Sequence, residues 1–233
     1  MVFNYNLVNK ILEAIFPLPE EFGVVENEIN EPVHFSTIQQ AVFDVDPTAR
    51  VCHGASKLVI VSSKLGDVVI KIPFNGYYTE SKDAGELIWT YFYGADGQDE
   101  SDYCLAEYEK FQQLKTYGLN CFVAKTLLYK KINNFRVFLQ EYVVPKEDIY
   151  YNGYCPSPKS QKIAEEWYKQ KMFDIDSQWI ANCLDKYGES KVKKFLFYCN
   201  NIDPDILADT HSGNYGYREN NTPCILDYSN FTG

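Results

Sequence analysis

Histidine is scarce in this 233-residue chain, with three residues scattered at His34, His53 and His211. That is too few, too far apart, for a histidine metal cluster. The seven cysteines at 52, 104, 121, 155, 183, 199 and 224 are odd in number and include no Cys-x-x-Cys pair. This excludes a regular disulfide framework and a cysteine zinc site, and reads as reduced, cytoplasmic thiols. No run of 18 apolar residues occurs, so no membrane span is expected. The start, Met1-Val-Phe-Asn-Tyr-Asn-Leu7, has neither a basic region nor a cleavable apolar segment, so no secretory signal is expected. An excess of positive charge is also lacking. The net charge of −10 argues against a nucleic-acid surface. There is no internal repeat and no low-complexity tract.

What is present is a globular composition. Hydrophobic residues make up 45% of the chain, enough for a core, and the length suits one two-lobed unit or two small domains. The negative charge is uneven. From Asn75 to Glu109 stand nine acids (Glu80, Asp83, Glu86, Asp96, Asp99, Glu100, Asp102, Glu107 and Glu109) against Lys82 alone. A solvated insertion is the expectation for 75–101, with a docking face for a basic partner as the alternative.

Leu7, Ile11, Leu12, Ile15 and Phe16 repeat at helical spacing, and Pro17-Leu-Pro19 ends that helix. Ser36-Thr-Ile-Gln39 marks a second helix reaching Val45. Residues 51–54, 58–62 and 68–74 are rich in β-branched residues and predict three strands, with a hairpin turn at 64–67. A short helix is expected near 84–93 and a clear one over 102–117, closed by Gly118. Strands follow over 122–131 and 135–144, then helices over 159–172, 176–187 and 190–199.

The chemistry concentrates near the end. Asp209 and Asn214 stand five apart in Asp209-Thr-His-Ser-Gly-Asn214. Two short strand-like runs, 214–218 and 223–226, flank the polar turn Glu219-Asn-Asn-Thr222, and the second leads into Asp227. Such a hairpin sets Asp209, Asn214 and Asp227 around one point. All offer oxygen ligands or proton acceptors, which Mg²⁺ and a phosphoryl group require. Upstream, Lys71 alternates with Ile70 and Ile72 and so points away from them. On the 102–117 helix, Glu107 lies in the apolar stripe of Cys104, Tyr108, Phe111 and Leu114, whereas Glu109 lies off it. A carboxylate facing a core needs a cation, and Lys71 is the natural candidate.

Lysine on a strand, glutamate on the next helix, two strands, then Asp, Asn and Asp: this order resembles the protein-kinase-like superfamily. The fuller Asp209-x-His211-x-Gly213-Asn214 is similar to the aminoglycoside and choline phosphotransferase branch, and to short kinase-like proteins of bacterial and phage origin. The resemblance covers about residues 48–233. It implies an α+β, two-lobed fold with residues 1–47 as a helical extension, 48–144 as the sheet lobe and 145–233 as a truncated helical lobe. It implies ATP and Mg²⁺ as cofactors and phosphoryl transfer to an unknown small molecule or protein.

By the same resemblance, Lys71 reaches the nucleotide phosphates, Glu107 pairs with it, and Glu141 and Tyr142 meet the adenine by their backbone. Asp209 acts as base, Asn214 and Asp227 hold Mg²⁺, and His211 copies the branch's Asp-x-His. Gly54, Ser56 and Lys57 stand where a glycine-rich loop covers the phosphates; only Gly54 remains of the usual three glycines, and a plain turn reads equally well there. Asp227-Tyr-Ser replaces Asp-Phe-Gly, and the chain stops six residues after Asp227, with no activation segment. A pseudokinase that binds nucleotide or protein is the alternative, and transfer of AMP a third reading. Without the later helices, Trp167, Phe173, Trp179, Ile180, Leu184, Phe195, Leu196 and Phe197 are expected to need cover from the N-terminal helices or from a second copy of the chain.

Overall fold

The computed structural model describes residues 1–16, 33–53, 57–73, 75–78, 87–90, 102–132, 135–148 and 155–229. They form a mixed α+β chain that divides into two units, residues 1–108 with 126–141 and residues 109–125 with 142–233. In chain order the first unit holds α1 (Tyr5–Ile15), β1 (Val33–His34), α2 (Phe35–Val45), β2 (Arg50–His53), β3 (Lys57–Val61), β4 (Val68–Pro73), β5 (Asn75–Tyr78) and β6 (Leu87–Thr90). Helix α3 (Tyr103–Thr116) begins in the first unit and ends in the second, and β7 (Thr126–Ile132) and β8 (Phe135–Glu141) return to the first. The second unit continues with β9 (Val144–Pro145), α4 (Pro158–Lys169), α5 (Ser177–Tyr187), α6 (Glu189–Asn201), α7 (Asp205–Ala208), β10 (Tyr215–Tyr217) and β11 (Pro223–Ile225).

Alternation dictates the first unit. The five-stranded antiparallel sheet has the order β2-β3-β4-β8-β7. Leu58, Ile60, Val68, Ile70, Ile72, Val137 and Leu139 are buried together with Val8, Ile11, Leu12 and Ile15 of α1 and Ile38 and Val42 of α2. Helices α1 and α2, which fall within the first 47 residues, thus contribute to this unit's core. The opposite face carries Lys57, Lys71 and Gln140, which the period-two register places together. Glu107 of α3 bonds to this face, and Tyr108 sets its ring 6.2 Å from that of Phe138.

The helix expected at 84–93 is replaced, where it is described, by strand β6, which pairs with β5 and β1. Leu87-Ile-Trp-Thr is β-branched and aromatic, and pairing on both edges outweighs any helical tendency. Strand β8 ends at Glu141, and Val144–Pro145 forms the separate strand β9, paired to β10. Residues 120–122 form a 3-10 turn, and the strand expected from Phe122 begins at Thr126. Of the nine acids between 75 and 109, three are described: Asp102 and Glu107 are buried and Glu109 is exposed. Asp102 is buried, caps α3 by accepting from Leu105 N, and pairs with Arg136 at 3.0 Å, while Glu107 is fully buried. Glu80, Asp83, Glu86, Asp96, Asp99 and Glu100 lie outside the described residues.

A third buried carboxylate ties α2 to the β3–β4 turn. Asp46 accepts from Ser62 Oγ at 2.5 Å, Thr48 Oγ1 at 2.7 Å and Lys64 Nζ at 2.8 Å. Burial pushes its pKa up, but the bonds from Lys64, Ser62 and Thr48 outweigh burial and hold the carboxyl below its ordinary value. A depressed folded-state pKa stabilises above the unfolded value and loses that effect as pH falls toward the folded one. Asp46→Asn is therefore expected to lower stability at pH 7 by about 1–2 kcal/mol, the half-exposed Lys64 contributing little of it. Urea melts of both proteins should converge below about pH 4. A gap that persists unchanged to pH 3 would refute the assignment.

The second unit is built on aromatics. Phe122 stacks on Phe195 with ring centroids 4.2 Å apart, and Trp179 meets Tyr215 edge-on. Trp167, Phe173, Trp179, Ile180, Leu184, Phe195 and Leu196 are buried within this unit, among Leu119, Phe122, Tyr217, Ile225 and Tyr228; Phe197 alone of the eight is exposed. This corrects the expectation of an outside cover. The hairpin of β10 and β11 and the turn after α3 supply it, while α1 and α2 pack on the sheet of the first unit. Among the described residues, no helix is long and apolar enough to cross a membrane.

Candidate functional site

The candidate residues form two groups, one in each unit. In the first, Lys71 Nζ lies 2.9 Å from Glu107 Oε2 and 3.1 Å from Oε1. Sheet alternation aims Lys71 to the face opposite Ile70 and Ile72, and the stripe on α3 aims Glu107 inward. Glu107 has no exposed surface, and Lys71 is 5% exposed. Lys57 joins them. It is the first residue of β3, not part of a loop, and its Nζ lies 2.6 Å from Glu107 Oε1. Gln140 Nε2 donates to Glu107 Oε2 at 3.2 Å and to Thr126 Oγ1 at 3.0 Å. A buried carboxylate is thus held by charge and by an amide, as burial requires.

Lys57, Gln140 and Thr126 were not foreseen in this place. The available signal was alternation: Lys57 and Val59, like Phe138 and Gln140, lie at even spacing on the face that carries Lys71. One turn before Glu107, Cys104 is fully buried. Burial, then the nearby Glu107 carboxylate, push its thiol well above the ordinary value, which keeps it a neutral packing group. Gly54 and Ser56 lie outside the described residues. Glu141 closes β8 opposite Val68 and ends the first unit, and the half-buried Tyr142 begins the second.

In the second group, α7 delivers the chain to Asp209, which is exposed. Lys110 of α3 steadies the approach by an ion pair to Asp203 at 2.5 Å, with Asp205 at 3.4 Å. Asn214 is the knot of the loop. Its Nδ2 donates to the Asp209 carbonyl at 2.6 Å and to Asp209 Oδ2 at 3.3 Å, and its backbone N donates to the His211 carbonyl at 2.9 Å. Its own carbonyl accepts from Leu226 N at 2.7 Å and Asp227 N at 3.2 Å. Asp209, Asn214 and Asp227 are thereby brought together by the main chain as well as by side chains. With Nδ2 engaged, Oδ1 is the ligand-type atom left on Asn214.

His211 is exposed, and its Nδ1 accepts from Gly213 N at 3.1 Å, which leaves Nε2 as the protonated nitrogen of the neutral ring. Asp227 is half-buried, and its Oδ1 accepts from Ser229 Oγ at 3.2 Å. Next to it, Tyr228 is anchored through its hydroxyl to the Ala124 carbonyl at 2.8 Å. The hairpin behind the loop is in register Tyr215↔Ile225, Gly216↔Cys224 and Tyr217↔Pro223. Asn221 turns it with φ +63°, a conformation that asparagine tolerates. Among the described residues, no three side chains of His, Cys, Asp or Glu converge as a metal-binding group. A cation here would rest on Asp227 and the Asn214 amide oxygen, both hard oxygen donors of the type Mg²⁺ accepts.

Set against known protein families, curated proteins and solved structures, the chain matches none.

Proposed function

We propose that this chain is a kinase-like phosphotransferase that uses ATP with Mg²⁺. The observation that carries the reading is the knot at Asn214, which joins Asp209 by its amide and Asp227 by its carbonyl. The sheet order supports it: α3 lies in sequence between β4 and β7, and carries Glu107 onto Lys71 of β4. So does the division into two units, which suits a two-lobed, kinase-like architecture.

In this reading Lys71 binds phosphate oxygens, and Glu107 fixes the lysine's direction. Asp209, exposed and bonded by Asn214, accepts the proton of a substrate hydroxyl in this reading. Asp227 and Asn214 Oδ1 are the cation ligands, and Mg²⁺ when bound would neutralise charge on the phosphates. Phosphoryl transfer is mostly positioning and electrostatics, so this short set suffices. The acceptor is a small molecule or a protein.

The test is thermal unfolding with ATP, with and without Mg²⁺, on the wild type, Asp227→Ala and Asp209→Asn. ATP at 100 times its dissociation constant should add about 2.7 kcal/mol and raise the melting temperature. The Mg²⁺-dependent part is expected to vanish in Asp227→Ala and to persist in Asp209→Asn, whose carboxylate serves the acceptor. No shift at millimolar ATP would sink the enzyme reading. A shift indifferent to Mg²⁺ would favour the pseudokinase alternative, for which the reduced glycine loop is the supporting observation.

A further inference from the structure

Helix α7 is a single turn of four residues, and Asp209 follows it directly. One turn of helix does not hold itself in water. The usual cap is missing as well: Pro204 stands at the N-cap, and its ring has no oxygen to accept from the first N–H groups. Leu207 N reaches the Pro204 carbonyl at a long 3.3 Å. The turn is held by Ile206, which is buried in this unit's core, and by Lys110. The Lys110 ammonium straddles Pro204. It lies 2.5 Å from Asp203 Oδ1, before the proline, and 3.4 Å from Asp205 Oδ2, after it. Asp203 is fixed to the end of α6, since its N donates to the Tyr198 carbonyl at 3.1 Å. The Lys110 and Asp203 side chains are 15% and 12% exposed. A pair so far withdrawn from water contributes little net stability, because desolvation offsets most of the attraction, and apolar side chains would fill the place as well. Apolar contact is non-directional, however, and would not fix the course of the chain from α6 into α7.

We infer that Lys110 is a positioning residue for Asp209, clasping Asp203 and Asp205 around Pro204 and so setting where the one-turn helix delivers the Asp209 carboxylate, an inference that rests on Asp209 as the base of the proposed transfer. Asn214 holds Asp209 from the loop side, by the bond to its carbonyl, and Lys110 holds the approach from the α6 side. Lys110 touches neither nucleotide nor acceptor and acts through α7.

The test uses the full chain as wild type, Asp209→Asn, Lys110→Arg and the double variant Lys110→Met, Asp203→Leu, which removes the clasp without leaving a buried charge unpaired. Water stands in for the acceptor: it attacks the γ-phosphorus of ATP, the bond to the ADP oxygen breaks, and the water's proton passes to Asp209. Phosphate release with Mg²⁺ gives kcat and KM for ATP, and thermal unfolding gives stability. The double variant should melt within about 3 °C of the wild type. Its KM for ATP should stay within about twofold, while kcat falls about tenfold or more. Lys110→Arg keeps the charge and a fork for both carboxylates, so its kcat should stay within about threefold of wild type. A double variant with wild-type kcat overturns the inference, and so does Lys110→Arg as slow as the double variant. A fall in kcat that comes with a higher KM or with a melting temperature lower by about 10 °C or more makes Lys110 a scaffold residue and also overturns it. In each of these cases the reading of Asp209 stands. Phosphate release that Asp209→Asn does not lower, or no release by the wild type, removes that reading and the inference with it.

Discussion

Glu107→Leu is expected to destabilise the first unit by about 3–5 kcal/mol, because it leaves two buried ammoniums without the carboxylate they share. Loss of packing is a small part of this, since leucine fills a similar volume. The decisive comparison is the triple variant Glu107→Leu, Lys57→Met, Lys71→Met. An all-apolar replacement of a buried ionic cluster is often neutral, so the triple should recover most of the stability that the single variant loses. Urea unfolding followed by circular dichroism reads both. A single variant within about 1 kcal/mol of wild type would show that the cluster is solvated and that its charges need no partner.

Gly216→Ala should have an effect of similar size in the other unit. A Cβ on Gly216 would overlap the Val144 carbonyl oxygen, and Pro145 Cα would lie 2.9 Å from it. Neither neighbour is a flexible side-chain end; both are backbone of β9, paired directly to β10. The strand must move away, at about 3 kcal/mol. Gly216 stands two residues after Asn214, so the same displacement should abolish the Mg²⁺-dependent ATP shift. Gly118→Ala is the control. Gly118 has φ +71° but nothing within 4 Å of a built Cβ, so only backbone strain of about 1 kcal/mol is expected. Equal melting of Gly216→Ala and wild type would mean that β9 is not held against β10.

Much of the site was legible because it rests on short periods. The alternation Ile70-Lys71-Ile72 and the helical stripe around Glu107 each fix a direction within a few residues, and both side chains lie where those directions lead. The Asp209–Asn214 spacing and the hairpin after it are equally local. That Lys57 and Gln140 both meet Glu107 was not legible, for the opposite reason. Lys57 follows Gly54-Ala-Ser56 in sequence and reads as a loop cation, and only the pairing of β3 with β4 sets it beside Lys71. Gln140 reaches Glu107 through a strand partner that no local pattern names. The strand at Leu87–Thr90 was misread because short apolar runs do not distinguish helix from strand. The aromatic core of the second unit was judged bare because its cover comes from Tyr215, Tyr217 and Ile225, nearly twenty residues or more away in sequence.

The division of the chain has a consequence for its synthesis. The backbone passes between the units three times, first in the middle of α3, then after Lys125 and again after Glu141. No contiguous fragment therefore contains either unit whole without part of the other, and a single proteolytic cut at any point within 109–141 severs both. On the ribosome, β4 emerges long before β8, its partner on the inner edge of the sheet. The sheet must wait, with one edge open, until residue 141 has been made, by which time residues 109–125 of the other unit already exist. The two units are thus interleaved in time as well as in sequence, and neither can finish folding as a nascent chain independently of the other's first segment.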